Sequence, residues 1–176
     1  MKTILLYGLT GTGKSTFCKY VTEKYNYKVV QVRRLFESVV GKDKAATVYH
    51  ELLNKTNSRC AWLDLISKDI ISCIENQKIA VIEGLFTVEE SKWFKNISDV
   101  TIIYLENKND KVRTMRFCER ENLPLESGMV KMGNSDMGRI DAGVPFAKNF
   151  ADYIIINDNS LVEFYNVIDS LVNKIC

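Results

Sequence analysis

Residues 8–15 read Gly8-Leu9-Thr10-Gly11-Thr12-Gly13-Lys14-Ser15, which fits G-x-x-x-x-G-K-[ST] at every fixed position. The flanks suit that motif. Ile4, Leu5 and Leu6 form a short apolar run before it, as a buried strand requires, and Phe17, Tyr20 and Val21 recur at helical spacing after it. Three glycines allow the backbone to curl so that successive N–H groups point inward at phosphate oxygens. The helix that starts there adds its free N–H groups and the positive end of its dipole. Lys14 then reaches the β- and γ-phosphates, and the Ser15 hydroxyl, followed by Thr16, is placed to ligate Mg²⁺. A dinucleotide fingerprint fits worse, because the glycine spacing is not G-x-G-x-x-G.

A chain of 176 residues is long enough for one domain with a sizeable core. Net charge is +2, so no broad polyanion surface and no nucleic-acid partner is expected. No apolar run approaches a membrane span, and the polar loop follows too few apolar residues for a signal peptide, so a cytoplasmic protein is expected. Cys18, Cys60, Cys73, Cys118 and Cys176 are odd in number and hold no C-x-x-C pair, which argues against a metal site or a disulfide framework. The sequence carries no signal for oligomeric state.

Along the chain, the pattern predicts a first helix over 14–25 and a second buried strand through Val29, Val30 and Val32. Arg33, Arg34 and Glu37 come next. Ligands of open parallel α/β sheets bind outside the carboxyl ends of the strands, so these three are candidates to meet a second substrate; a solvated helix turn explains each equally well. His50, the only histidine, has no nucleophile or base beside it and is given no role. Trp62, Leu65, Ile66, Ile70, Cys73 and Ile74 predict a single amphipathic helix over 61–76.

Residues 78–84 form the third strand, which ends on Glu83 as a Walker B element does. Glu83 is a candidate to orient a Mg²⁺ water or to activate a hydroxyl. Thr87-Val88-Glu89-Glu90 and Ser160-Leu161-Val162-Glu163 read as capping boxes. The second opens a terminal helix with Leu161, Phe164, Val167, Ile168 and Leu171 as its core stripe. The fourth strand, 100–105, runs into Asn107-Lys108-Asn109-Asp110, which matches the N-K-x-D guanine motif. A GTPase would also carry D-x-x-G after its third strand, where this chain has Glu83-Gly84-Leu85-Phe86, so Asn107 is read instead as a helix N-cap. Arg113, Arg116 and Arg120 share one helical stripe, and arginines so grouped stabilise charge on a phosphoryl group in transfer. Residues 122–143, with Pro124 and four glycines, read as a long irregular segment of the kind that forms a mobile lid, carrying Asp136 and Arg139. A fifth strand covers 153–157.

Four marks then combine: Gly8 to Thr16, Val81-Ile82-Glu83-Gly84, the Arg116 to Arg120 stretch before the lid, and Ala151-Asp152-Tyr153 with Asn157-Asp158-Asn159-Ser160. With them the chain resembles, over nearly its full length, the P-loop kinases of the nucleoside-monophosphate kinase group, and within it dephospho-coenzyme A kinases and archaeal adenylate-kinase-like proteins. The resemblance implies an α/β three-layer P-loop NTPase fold: a five-stranded parallel sheet, helices on both faces, an acceptor-binding arm over 33–60 and a lid insertion over 121–144. It implies ATP and Mg²⁺ as cofactors and a nucleotide or dephospho-coenzyme A type acceptor. Lys14 and Ser15 would serve phosphate and metal, Arg116 and Arg120 would clamp phosphates, and Asn157 would lie near the adenine. The chain departs from such kinases in lacking an aspartate just after the second strand, in reading Ser135-Asp136 where an Arg-Asp pair is usual, and in carrying Glu83 where many have aspartate. The other classes open to this sequence are a GTP-binding switch and a nucleotide-binding regulator without turnover.

Overall fold

Successive side chains of a strand point to opposite faces, and β1 (Lys2–Tyr7) is apolar on both. Ile4 and Leu6 enter one core with Phe17, Val21, Phe164 and Ile168, while Leu5 and Tyr7 enter another with Phe36, Trp62, Ile70 and Phe94. A strand buried on both faces needs helices above and below it, and the doubly covered parallel sheet is the solution. The computed structural model describes residues 1–175; Cys176 lies outside the described residues.

The sheet contains β1, β2 (Lys28–Gln31), β3 (Ile79–Glu83), β4 (Asp99–Glu106) and β5 (Tyr153–Ile156) in the order β2-β3-β1-β4-β5. All pairings are parallel. The fold is therefore α/β with a five-stranded all-parallel sheet, and it is P-loop kinase-like. Register places Glu83 beside Leu6 of β1 and Gln31 of β2, at the carboxyl edge where the glycine-rich loop begins. Helix α1 (Lys14–Tyr25) and the last helix, α9 (Leu161–Ile175), cover one face. The other face is covered by α2 (Val32–Val40), α4 (Ala61–Leu65), α5 (Ser67–Ile74), α6 (Val88–Lys95) and the 3-10 helix Val144–Phe150. Helix α3 (Ala45–Thr56) leans on this core from outside, and α7 (Asp110–Glu121) packs with α8 (Leu125–Ala142).

Several expectations are corrected. β2 stops at Gln31, and the fully buried Val32 is already the first residue of α2. The helix expected over 61–76 is two helices, because Ile66 leaves helical geometry at φ −108, ψ 15, and Leu65 is exposed. In α9, Phe164, Ile168 and Leu171 are core, but Leu161 and Val167 are exposed. The segment 122–143 is not irregular. After Pro124 it is the eighteen-residue helix α8, closed by Gly143 in the left-handed region. Gly128 is buried against α7, where an added Cβ would strike Cys118 Sγ, so this glycine serves close helix packing rather than a turn. The N-cap of α7 is Asn109, whose Oδ1 accepts from the N–H groups of Lys111 and Val112, and not Asn107.

Both capping boxes are formed. Cys18 and Cys118 are buried, Cys60 and Cys73 are half-buried, and all four are free thiols. Among the described residues no helix is long and apolar enough to cross a membrane.

Candidate functional site

The loop between β1 and α1 curls as its sequence requires. Gly11 and Gly13 have φ of 77° and 103°, a region L-residues with a Cβ avoid. A Cβ on Gly11 would stand 2.7 Å from the Arg113 carbonyl oxygen, and one on Gly13 would strike the Asn157 side-chain amide. Gly13 is also the N-cap of α1, with no side chain capping it and no acid in the first turn. The first N–H groups of a helix have no partner within it, so those of α1, together with the positive end of the helix dipole, are available to an anion.

The loop is braced from three sides. Asn157 donates from Nδ2 to the Thr12 carbonyl at 3.0 Å, and Thr12 Oγ1 donates to the Leu9 carbonyl at 2.9 Å. Asp136 of α8 accepts the Thr10 N–H at 2.8 Å through Oδ1. Through Oδ2 it accepts from Arg113 Nη1 at 2.8 Å, and the same nitrogen donates to the Thr10 carbonyl at 3.0 Å. Both backbone groups of Thr10 are thus held by one buried ion pair. Arg113 therefore does not share the outward role expected of its stripe. It turns inward, while Arg116 and Arg120 line the cleft.

That cleft, about 560 Å³, is bounded by Thr10, Gly11, Gly13, Lys14, Ser15 and Thr16 on the loop side. Glu83 enters from β3, Arg116 and Arg120 from α7, Arg139 from α8, and Asn157 from the end of β5. Gly8 and Thr12 support the loop without lining the cleft. Lys14 is buried and donates to the carbonyls of Gly8 and Leu9 at 2.8 and 2.7 Å. Its pKa is lowered to about 7, first by burial and then by Arg139, against the opposing pull of Glu83 and Asp136. Arg139 is lowered as well, again by burial first, and its Nε is buried with no hydrogen-bond partner. The cleft therefore concentrates cationic groups whose charge is under-compensated, which is what an incoming polyanion relieves.

Ser15 and Glu83 share this cleft. One hydroxyl and one carboxylate are hard oxygen donors of the number Mg²⁺ takes from protein when phosphates and water complete its shell. Among the described residues there is no cluster of three or more His, Cys, Asp or Glu that could hold a metal by itself.

A second cavity of about 300 Å³ lies beside the first. Its walls are aromatic and aliphatic (Phe36, Tyr49, Trp62, Phe86), and Arg33, Glu37 and Lys42 supply charge. Arg33 Nε pairs with Glu37 at 3.0 Å. The guanidinium carbons of Arg33 and Arg139 lie 5.8 and 5.7 Å from the centre of the Phe86 ring, within cation–π range. Arg34 is exposed and lines neither cavity. His50, given no role from sequence, stands on this second wall. Sequence reasoning missed Trp62 and Phe86 as site residues, although Phe86 lies shortly beyond the strand end that drew attention to Glu83.

The N-K-x-D residues are committed elsewhere. Asn107 Nδ2 donates to the Asn157 carbonyl, Asn107 Oδ1 accepts from the Asn109 N–H at 2.9 Å, and Asp110 pairs with Arg113 at 2.9 Å.

The chain is 27% identical to a UPF0200 protein of Sulfurisphaera tokodaii, covering 99% of this chain and 98% of the relative. It is also 27% identical to a cytidylate kinase of the same organism, over 69% of this chain and 63% of the relative. A dephospho-CoA kinase from Campylobacter jejuni shares the fold, with a TM-score of 0.54, 17% identity and coverage of 99% of this chain and 98% of that one. Residues 7–123, more than half of the length, match the family model described as an AAA domain, and the chain belongs to that family of nucleotide-binding P-loop domains.

Proposed function

We propose that the chain is an ATP- and Mg²⁺-dependent kinase that transfers the γ-phosphoryl group to a nucleotide or dephospho-coenzyme A type acceptor. The observation that carries this is the pair of cavities joined through Arg139. Its side chain lines the phosphate-loop cleft and also sits over Phe86, a wall of the aromatic cavity. Gly138 and Ala142 of the same helix line the aromatic cavity directly. One helix thus touches both cavities, as a device that brings donor and acceptor together must. The neighbouring kinases agree with this reading.

In such a reaction the protein positions and neutralises rather than forming bonds. The N–H groups of Gly11 to Thr16 hold the triphosphate, Lys14 follows the transferring group, and Arg116, Arg120 and Arg139 compensate charge on its oxygens. Ser15 and Glu83 would hold Mg²⁺, which supplies further charge neutralisation on the phosphates. Arg33 and Glu37 line the acceptor cavity, and Asn157 lines the nucleotide cleft.

The test is a product screen with ATP against nucleoside monophosphates and dephospho-coenzyme A, paired with Lys14→Ala. We expect one acceptor to release ADP stoichiometrically, and the variant to lose turnover by at least 10²-fold without a lower melting temperature, since it removes a buried cation. Turnover undiminished by Lys14→Ala removes the mechanism.

A further inference from the structure

Glu90 is fully buried, and the phosphoryl-transfer chemistry above makes no use of it. As the fourth residue of a capping box it needs only to accept the Thr87 N–H, which its Oε2 does at 3.0 Å. A cap of this kind normally sits in water. Here the carboxylate does more. Oε2 also accepts the Phe86 N–H at 2.7 Å, and Oε1 accepts Trp62 Nε1–H at 3.0 Å.

Those two partners are far apart in the chain and belong to different elements. Trp62 belongs to α4, and Phe86 to the link between β3 and α6. What they share is the second cavity, which both line. Trp62 in turn packs edge-on against Phe36, another wall, at 5.5 Å between ring centres. Phe86 carries the guanidinium groups of Arg33 and Arg139 over its ring. A single carboxylate therefore ties together the walls that come from separate segments.

We propose that Glu90 is the positioning residue of the acceptor cavity, fixing Trp62 with one oxygen and the Phe86 backbone with the other. The role as an acceptor site rests on the kinase reading above; the fixing of the two walls does not. Three donors converge on the two oxygens of the ionised carboxylate, so above the pH at which it takes up a proton, where the measurements below are made, the isosteric amide cannot replace it. Glutamine offers one oxygen and a nitrogen that donates, and wherever the nitrogen points it meets another donor. Either Trp62 or the Phe86 link loses its anchor.

Two readouts separate the proposal from an ordinary cap and from the kinase reading. The first needs no ligand. In a Trp93→Phe background, Trp62 is the remaining tryptophan, and acrylamide quenching reports its protection. We expect Glu90→Gln to raise the quenching constant at least threefold over the Glu90 protein. The second uses whichever of AMP or dephospho-coenzyme A supports turnover. We expect the KM for that acceptor to rise at least tenfold while the KM for ATP stays within twofold. Trp62→Phe, which keeps Glu90 and removes the donor, should raise the acceptor KM as well, and adding Glu90→Gln to it should add less than Glu90→Gln costs alone.

A lower melting temperature with unchanged quenching would make Glu90 a buried cap only and overturn the proposal. So would equal rises in both KM values. If neither compound is phosphorylated by the unsubstituted chain, the acceptor reading falls, and the quenching result still decides whether Glu90 holds the walls.

Discussion

Asp136→Ala is the substitution whose cost follows most directly from the geometry. Asp136 and Arg113 keep only 10% and 8% of their side-chain surface exposed, with 2.8 Å between Oδ2 and Nη1. Removing one member of such a pair strands the other charge in a poorly solvated place, which typically costs 3–5 kcal/mol. Here the lower end applies, because Arg113 retains Asp110 at 2.9 Å, and that carboxylate is 82% exposed and already solvated. The loss of the Thr10 N–H acceptor falls within the same sum. About 3 kcal/mol is therefore expected. With an unfolding entropy of about 2.1 cal/mol/K per residue over 176 residues, that lowers the melting temperature by about 8 °C, read by circular dichroism. Adding Arg113→Met removes the stranded charge, so the double variant should melt above Asp136→Ala, a coupling of about 1–2 kcal/mol. A single variant within 2 °C of the parent, or two effects that simply add, would refute the view that this pair is a buried latch on the loop.

Gly13→Ala forces a side chain into φ 103° and onto the Asn157 amide. ATP affinity measured by calorimetry should fall more than tenfold, and normal affinity would mean that the loop does not cradle phosphate in this conformation. Gly128→Ala should cost about 1–3 kcal/mol in chemical denaturation, and Cys118→Ala in the same chain should return most of it, because the new methyl meets Cys118 Sγ; additive losses would contradict the packing. The Glu90 carboxyl is pushed up to about 7 by burial, against the bonds from Thr87, Phe86 and Trp62 that favour its charged form. A folded-state pKa above the unfolded 4.5 means that the folded protein binds the extra proton between those values. Its contribution is then complete below pH about 4.5 and is lost as pH rises through about 7, roughly 3 kcal/mol in all. The stability difference between the parent and Glu90→Gln should therefore move against the parent across that window in urea titrations; a difference that does not change with pH would show that the group does not titrate there.

What was legible in the sequence was what is local. The glycine-rich loop, the strands and both capping boxes depend on residues within a few positions of one another, and each folds as its pattern implies except at the end of β2, where Val32 is already helical. The misreadings depend on partners far along the chain. Residues 122–143 look like a loop because four glycines and several polar residues disfavour helix. Yet α8 forms, because Gly128 lets it lie against Cys118 and Asp136 reaches Arg113, 23 residues away, and Thr10, 126 residues away. Arg113 looked like one of three equal cations, and only its distant partner separates it from Arg116 and Arg120. Glu90 was read as a cap, and its bond to Trp62 spans 28 residues. The single helix expected over 61–76 likewise breaks at Ile66, one turn after Trp62 enters the cavity wall.

These long-range contacts are not scattered. Asp136, Arg113, Asn157 and Glu90 all act beyond the carboxyl ends of the strands, where loops meet that share no local pattern. A phosphate cradle made of backbone N–H groups has no side chains of its own to hold its shape, so rigidity has to be imported. The Thr10 N–H and carbonyl are fixed by α8 and α7, and the Thr12 carbonyl by the end of β5. The same logic holds one cavity further on, where a carboxylate from α6 steadies walls supplied by α4 and by the link after β3. Helix α8 is thus tied to the glycine-rich loop through Asp136. Any displacement of it large enough to open the second cavity would pull on Asp136, and so on the glycine-rich loop. On the proposed function, occupancy of the two cavities should be coupled through this ion pair, and Asp136→Ala should weaken that coupling, read as the change in ATP affinity on adding the acceptor in calorimetry, even where each ligand still binds alone.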